Sequence, residues 1–347
     1  MKVFLTGGTG FIGQPLAKLL LARGWGVTAL VRKAASPQAQ ILSKMGAQLA
    51  QGDVTDHDSM RVAMNGCDIV IHNAGHYELG VGDAGMQRMQ AINVQGTENV
   101  LNLALELNIP RSIYVSTLWA FGHTGSQQRD ETFIRNTPFH SEYERTKADA
   151  HHIAIQYQAQ GLPLIIVCPN GVIGPNDHSI FGYFLRLYLN KLLPPVAWSP
   201  ESIFSLVEVN DVAQGIVLAA VNGRTHETYI LAGEPLSTRE MFLLWAQKPG
   251  RFVVRFWLPP WLAAFLLWMM EPLQRALGLP AFMSRETVWA SKDSLNYSSA
   301  KARQELGWTY QTAQEMWFKT IDKEIELQAR RNKRGLPSRL HPIGEKS

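Results

Sequence analysis

Thr6-Gly7-Gly8-Thr9-Gly10-Phe11-Ile12-Gly13 stands between an apolar run, Val3-Phe4-Leu5, and an apolar-periodic stretch marked by Leu16, Leu19 and Leu20. The run reads as a strand and the periodic stretch as a helix. A glycine-rich turn between a strand and a helix N-terminus is an anion site, because free backbone N–H groups and the positive end of the helix dipole converge on one spot. Gly7 permits the tight turn, Gly10 lets the backbone approach a pyrophosphate, and Gly13 lets the helix pack close to the strand. Phe11 and Ile12 lie in the same turn and are counted with the cofactor contacts. A glycine triplet alone is a weak signal; the flanking strand and helix make this one a dinucleotide-binding candidate.

Downstream, Val27-Thr28-Ala29-Leu30-Val31 reads as a second strand ending at Arg32-Lys33. An acidic residue roughly 20 positions past the turn would hold the ribose 2′-hydroxyl of NAD. Two cations stand there instead and suit a 2′-phosphate, which favours NADP(H) over NAD(H); the alternative is a pair of solvated charges at a strand end. Gln48-Leu49-Ala50 is a short third strand, closed by Gly52-Asp53-Val54. Asp53 either accepts a hydrogen bond from an adenine amino group or caps the helix that opens at Thr55 or Asp56. Ile69-Val70-Ile71-His72 is the fourth strand, and Asn73-Ala74-Gly75 its exit loop, with residues small enough at Ala74 and Gly75 to lie against a nicotinamide ribose. Asn93-Val94-Gln95-Gly96-Thr97 opens a helix running through Leu107, and Ile113 to Thr117 form the fifth strand. Strands alternating with helices in this way predict an α/β fold, a doubly wound parallel sheet of the Rossmann type, with ligands at the carboxyl ends of the strands.

Tyr143 and Lys147 are four residues apart in a helical stretch and so share a face. A free tyrosine has a pKa near 10. A neighbouring ammonium favours the phenolate, which turns the pair into a usable general acid/base for a carbonyl or alcohol oxygen. Thr117, at the carboxyl end of the fifth strand, offers a hydroxyl to the same oxygen. A Tyr/Lys pair at this spacing is common by chance on surface helices; its weight comes from its company.

Taken in order, Thr6 to Gly13, Gly52-Asp53-Val54, His72-Asn73-Ala74-Gly75, Asn93 to Asn99, Val115-Ser116-Thr117 with Phe121-Gly122, Tyr143 with Lys147, Pro169 to Pro175, and Val209 to Ala213 resemble the extended short-chain dehydrogenase/reductase superfamily. The likeness is to its NAD(P)-dependent epimerase/dehydratase group, over about residues 1–235, and is nearest in motif to dihydroflavonol-reductase-like and 3β-hydroxysteroid-dehydrogenase-like members. The resemblance implies that Tyr143 is the proton donor or acceptor, and that Lys147 lowers its pKa and holds the nicotinamide ribose. It implies that Thr117, five residues before Gly122, orients the substrate oxygen. Gly7, Gly10 and Gly13 would seat the pyrophosphate, with Pro169 among the cofactor contacts. Nucleotide-sugar members of the group often carry Arg at the position of Cys168 and Asn at that of Gly171; this chain has neither, which argues against a UDP-sugar.

The remaining sequence points to a smaller C-terminal substrate lobe. The dinucleotide domain is expected at residues 1–168 and 205–233, the lobe at 169–204 and 234–325, and a basic, frayed tail at 326–347. An aromatic-rich stretch from Phe181 to Phe204 is expected to be mostly core, and beyond about Ile325 the chain is expected to fray. Tyr77, Trp119, His140 and Phe181 follow sheet-end motifs and are the candidates for the substrate pocket. Phe256 to Met270 contains no charge. That is short of the about 20 apolar residues a membrane span needs, and Pro259-Pro260 interrupt it near its start. It is expected to line an apolar pocket, with contact to a membrane surface through Trp257, Trp261 and Trp268, or a homodimer contact, as the alternatives.

A chain of 347 residues, 46% apolar and 18% charged, is long enough for a large core. Its formal charge of +4 is a tail property: residues 329–347 carry six Lys/Arg and one acid. No folded basic face is implied and no nucleic-acid partner is expected, although the tail could touch a polyanion or anionic lipid. Two cysteines, Cys67 and Cys168, suggest no disulfide framework, and with Lys2 followed directly by a strand no signal peptide is expected. A cytoplasmic setting is expected, with membrane association as the variant, and no metal site is indicated. The function expected is NADP(H)-dependent interconversion of a hydroxyl and a carbonyl on an apolar small molecule that is steroid-, flavonoid- or isoprenoid-like. The alternatives are a sugar epimerase or dehydratase that recycles its cofactor internally, and a non-catalytic cofactor-binding scaffold.

Overall fold

Seven short apolar runs hydrogen-bond into one parallel sheet: β1 (Lys2–Thr6), β2 (Gly26–Val31), β3 (Gln48–Gln51), β4 (Ile69–His72), β5 (Arg111–Val115), β6 (Leu164–Pro169) and β7 (Thr228–Leu231), in the order β7-β6-β5-β4-β1-β2-β3. The structure is a computed structural model and describes residues 1–78, 82–276 and 285–333. Every residue of β4 and of β6 is buried, as expected of strands covered on both faces. The order reverses between β4 and β1, and that switch point opens a crevice at the strands' carboxyl ends.

Helices cover both faces. On one, α1 (Gly13–Ala22), α8 (Val209–Asn222) and α12 (Ala300–Leu306) bury Leu16, Leu20, Val212, Ile216 and Leu306. On the other, α3 (His57–Met64), α5 (Gly96–Glu106) and α6 (Glu142–Ala159) bury Met60, Met64, Val100, Leu101, Ala150 and Ala154. Gly307 ends α12 with a left-handed φ of 70°, a backbone state that glycine takes without steric cost. The following Trp308 is buried and donates from its indole to the Asp211 carbonyl at 2.8 Å. The remaining helices are α2 (Pro37–Lys44), α4 (Asp83–Met89), α7 (Ile180–Leu189), α9 (Thr238–Ala246), α10 (Pro260–Ala276), α11 (Arg285–Ser291) and α13 (Ala313–Lys333). Short strand pairs outside the large sheet join Val172–Ile173 to Val207–Glu208, Ile203–Phe204 to Leu236–Ser237, and Val196–Trp198 to Phe256–Leu258. Beside them Tyr188, Phe242, Trp245 and Trp317 pack ring against ring, with Trp245 and Trp317 5.0 Å apart.

Three local expectations need correction. The cap of α3 is Asp56, whose carboxylate accepts the Ser59 amide at 3.3 Å; Asp53 instead closes a turn on Thr55. The segment Gln90–Gln95 is a π-helical turn, so α5 begins only at Gly96. Residues 326–333, expected to fray, continue α13, where Glu326 pairs with Lys323 at 2.7 Å and with Arg330 one turn on. The rest of the basic tail, from 334, lies outside the described residues.

Asp177, just ahead of α7, is buried and accepts the Ser179 amide at 2.7 Å and its hydroxyl at 2.8 Å. Burial pushes its carboxyl up to about 6. The folded state therefore keeps the proton to higher pH than the unfolded chain, and stability is lost as pH rises from about 4 to about 6. At neutral pH the ionised group costs on the order of 3 kcal/mol. Asp177→Asn is expected to raise the melting temperature at neutral pH, with the gain vanishing near about pH 4. Thermal melts at the two pH values check this; an equal gain at both would rule the ionisation account out.

Candidate active site

At the switch point the glycine turn is shaped by contacts that leave no room for side chains. Gly7 has a φ of +68°, and a Cβ there would lie 2.6 Å from the Ala74 nitrogen. A Cβ on Gly13 would sit 2.0 Å from the Gly7 carbonyl oxygen. The Gly10 amide donates to that carbonyl at 3.1 Å, and the Asn73 amide group does so at 3.2 Å, which ties the loop after β4 to the turn. Helix α1 starts behind Ile12 with no side-chain cap and no acid in its first turn, so the positive end of its dipole faces the turn without a protein anion to offset it. Asn73 Oδ1 is buried without a partner. Bare turn, uncapped helix and orphaned amide oxygen fit a dinucleotide. Arg32 and Lys33 are exposed directly after β2, next to β1 in the sheet. Asp53 spends its carboxylate on the Thr55 amide and hydroxyl at 2.9 and 2.8 Å. Val54 is buried, close to Gly96, and Pro169 ends β6.

Tyr143 and Lys147 lie on α6, whose first turn is capped by Ser141 accepting the Glu144 amide at 3.1 Å. Lys147 is buried; its ammonium donates to the Val115 carbonyl at 3.3 Å and to the Tyr114 hydroxyl at 3.2 Å. A Cβ on Gly75 would be 3.9 Å from the same nitrogen, so the ammonium also faces the loop after β4. Thr117 reaches the site from the carboxyl end of β5. Burial raises the Tyr143 phenol; the Lys147 ammonium and a hydrogen bond with Thr117 pull it down, and burial wins. The expected effect of Lys147 is thus present, but the net direction is upward.

Tyr143 opens on an apolar cleft of about 910 Å³ that is in contact with solvent. Its wall includes Tyr77, Trp119, Phe181, Phe184, Trp198 and Phe242. The Tyr77 ring stands edge-on to that of Tyr143, with centroids 4.7 Å apart. Of the four pocket candidates, His140 is the exception: it is absent from the cleft wall, and its ring instead lies 5.0 Å from that of His123 and 3.5 Å from Asp293. Nor does Phe256 to Met270 line the cleft; Ala263, Ala264 and Leu267 pack instead against Val288, Trp198 and Leu258.

Residues 3–232 match the profile of the NAD dependent epimerase/dehydratase family. The chain belongs to this family. It is an NAD(P)-dependent oxidoreductase of the extended short-chain dehydrogenase/reductase type. A Stigmatella aurantiaca protein, 4-hydroxy-2-methyl-3-oxo-4-farnesyl-3,4-dihydroquinoline-1-oxide ketoreductase, is 30% identical over 315 residues, covering 89% of this chain and 92% of the relative. Sterol demethylase protein B of Methylococcus capsulatus is 28% identical over 318 residues, covering 88% and 93%. The crystal structure of gox2253 superposes with a TM-score of 0.78 at 30% identity, covering 94% of this chain and 98% of the other.

Within this epimerase/dehydratase-family site, a buried polar chain links elements far apart in sequence. Thr6 Oγ1 accepts the Ala74 amide at 3.1 Å and meets His72 Nδ1 at 2.8 Å; His72 Nε2 meets Thr97 Oγ1 at 3.1 Å, and Thr97 donates to the Asn93 carbonyl at 2.6 Å. Read in one direction, each hydroxyl both donates and accepts. Burial and the Lys147 charge hold His72 down to about 3, so it is a neutral link. Asn93, in the π-helical turn, accepts the His76 amide at 2.7 Å and donates to Thr146 Oγ1 at 3.1 Å, joining the loop after β4 to α6, the helix of Tyr143 and Lys147. π-Helical turns are frequent at functional sites. Sequence reasoning saw Asn93 only as the opening of a helix. It also missed Glu144, which is buried beside Tyr143 and accepts Arg135 at 2.6 Å. Gly171 has a steric reason: a Cβ there would meet Leu206 at 2.6 Å and Phe181 at 3.2 Å.

Proposed function

We propose that the protein interconverts a carbonyl and a hydroxyl on an apolar, multi-ring or isoprenoid-bearing substrate, with NADP(H) as its cofactor. The observation that carries this reading is Tyr143, backed by Lys147 and Thr117, at an aromatic cleft of about 910 Å³. The aromatic wall of the cleft offers few polar partners to the hydroxyls of a sugar. Apolar Cys168 and the steric barrier at Gly171 weigh in the same direction. The two relatives are named for a farnesyl-bearing quinoline and for a sterol, both large and apolar.

Gly7, Gly10, Gly13, Asn73, Ala74, Gly75 and Lys147 would hold the cofactor, with Phe11, Ile12 and Pro169 nearby. When bound, it supplies or accepts the hydride at the substrate carbon. Tyr143 gives the proton to the carbonyl oxygen, and Thr117 holds that oxygen by its hydroxyl. A phenol whose pKa burial raises is protonated at neutral pH and can act as the donor when the carbonyl is reduced. Arg32 and Lys33 support a 2′-phosphate by charge.

Titrating NADPH and NADH tests the cofactor half. NADPH is expected to bind at least about tenfold more tightly, about 1.4 kcal/mol, and Arg32→Ala/Lys33→Ala is expected to lose that margin. Equal affinities would remove the 2′-phosphate argument. For the chemistry, cyclic and isoprenoid ketones are expected to consume NADPH mole for mole. Turnover of a nucleotide sugar with no net change in cofactor would put the epimerase or dehydratase reading first.

A further inference from the structure

Helix α10 and the strand before it expose apolar surface on a scale found nowhere else among the described residues. Of 21 exposed large hydrophobic residues, nine fall between Val253 and Leu273. The inner face of α10, Ala263, Ala264 and Leu267, is buried against Val288 and Trp198. The outer face carries Trp261, Phe265, Trp268, Met269 and Leu273 at helical spacing, with Trp261 65% exposed and Met269 60% exposed. Phe256, 62% exposed, adds to it from the preceding strand. A contiguous apolar face of this kind marks an interaction surface.

We propose that this face docks on the surface of an anionic phospholipid bilayer. The side chains are those of an interfacial helix: indoles that sit at headgroup level and methionine, leucine and phenylalanine that enter the acyl boundary. No helix of the described residues is long and apolar enough to cross a membrane, so the contact lies in the plane of the surface. Charge selects the lipid. Between Val253 and Leu273 the only charges are Arg255, which is exposed, and Glu271, which is paired with Arg285 at 3.9 Å. In the sequence, residues 329–347 carry six cations to one acid. Cations of the chain are attracted to an anionic surface, and salt screens that attraction. Docking would also bring the cleft close to lipid, since Trp198, against which α10 packs, is part of its wall. The proposal does not rest on the reductase reading, because binding is measured without turnover.

Co-sedimentation with vesicles of phosphatidylcholine alone, and of phosphatidylcholine with phosphatidylglycerol, tests it. Wild type is expected to pellet with the anionic vesicles, less with the neutral ones, and less in high salt. Trp261→Glu/Trp268→Glu is expected to weaken binding about tenfold with an unchanged melting temperature and NADPH titration. Phe265→Ser/Met269→Ser, which adds no charge, is expected to weaken it as well and decides the matter if the first pair fails to fold. Wild type remaining in the supernatant with both vesicles, or either folded variant binding like wild type, overturns the proposal. So does light scattering that shows an oligomer which the variants dissociate, for the face then belongs to a second copy.

Discussion

Tyr143→Phe is expected to lower kcat/KM for carbonyl reduction by about 10³-fold, about 4 kcal/mol, while NADPH affinity and melting temperature stay near wild type. The substitution removes one oxygen and keeps the ring. The edge-on contact with Tyr77 at 4.7 Å survives, as does the cleft wall, so any large loss belongs to the hydroxyl. That hydroxyl is the proton source in the proposed reaction. The pH profile adds a second check. Burial holds the phenol above its ordinary value against the pull of Lys147 and Thr117. Reduction, which needs the protonated form, is expected to be level through neutral pH and to fall only at alkaline pH. Oxidation of the alcohol, which needs the phenolate, is expected to climb over the same range. A Phe variant retaining more than about a tenth of wild-type activity would remove Tyr143 from proton transfer.

The second large effect concerns Glu144, next to Tyr143 on α6 and fully buried. Burial alone would raise its carboxyl, but Arg135 and His123 hold it below the usual range. Arg135 donates to it at 2.6 Å and also donates to the carbonyls of Trp119 at 2.8 Å, Thr137 at 3.0 Å and Pro138 at 2.9 Å. The pair therefore ties the loop from Trp119 to His140, which carries part of the cleft wall, to the helix that carries Tyr143. Glu144→Ala leaves a guanidinium partly buried without its counter-ion and is expected to cost about 3–5 kcal/mol in urea unfolding. Because Trp119 loses its anchor, KM for an apolar ketone is expected to rise more than kcat falls. Arg135→Met/Glu144→Leu, which replaces both charges by apolar groups, is expected to recover most of the stability but not the KM. A loss below about 1 kcal/mol for Glu144→Ala would mean that the pair is solvated and does not organise the loop. The sign with pH follows from the lowered carboxyl: this contribution is present above the ordinary carboxylate range and is lost as pH falls below it.

The glycine turn, the alternation of strands and helices, and the Tyr143/Lys147 spacing could be read from the chain because each depends on residues within a few positions of one another. A turn that only glycines can make, a strand buried on both faces, and two side chains one helical turn apart all leave local patterns. Tyr77, Trp119 and Phe181 were legible in the same way, as residues just beyond strand ends. What was not legible joins distant positions. Thr6 meets His72 across 66 residues and His72 meets Thr97 across 25; neither spacing carries any local signal. Asn93 looked like a helix opening, because a π-helical turn differs from an α-helix in its hydrogen bonds and not in its composition. Asp53 and Asp56 are chemically equal candidates for one cap, and only the backbone geometry assigned it to Asp56.

The stretch Phe256 to Met270 draws the boundary most clearly. Its composition determined that it could not be an ordinary half-exposed helix, since it is apolar all round. Whether such a helix is swallowed by the lobe or left facing outward depends on how much partner surface the rest of the chain brings to it. Here Val288, Trp198 and Leu258 cover only the face of Ala263, Ala264 and Leu267. The sequence by itself determined the glycine turn, the strand–helix alternation and the apolar character of that helix. Tertiary packing alone decided which buried groups hold the site in register and which apolar face stays uncovered, because both are set by contacts between segments that the chain order keeps apart.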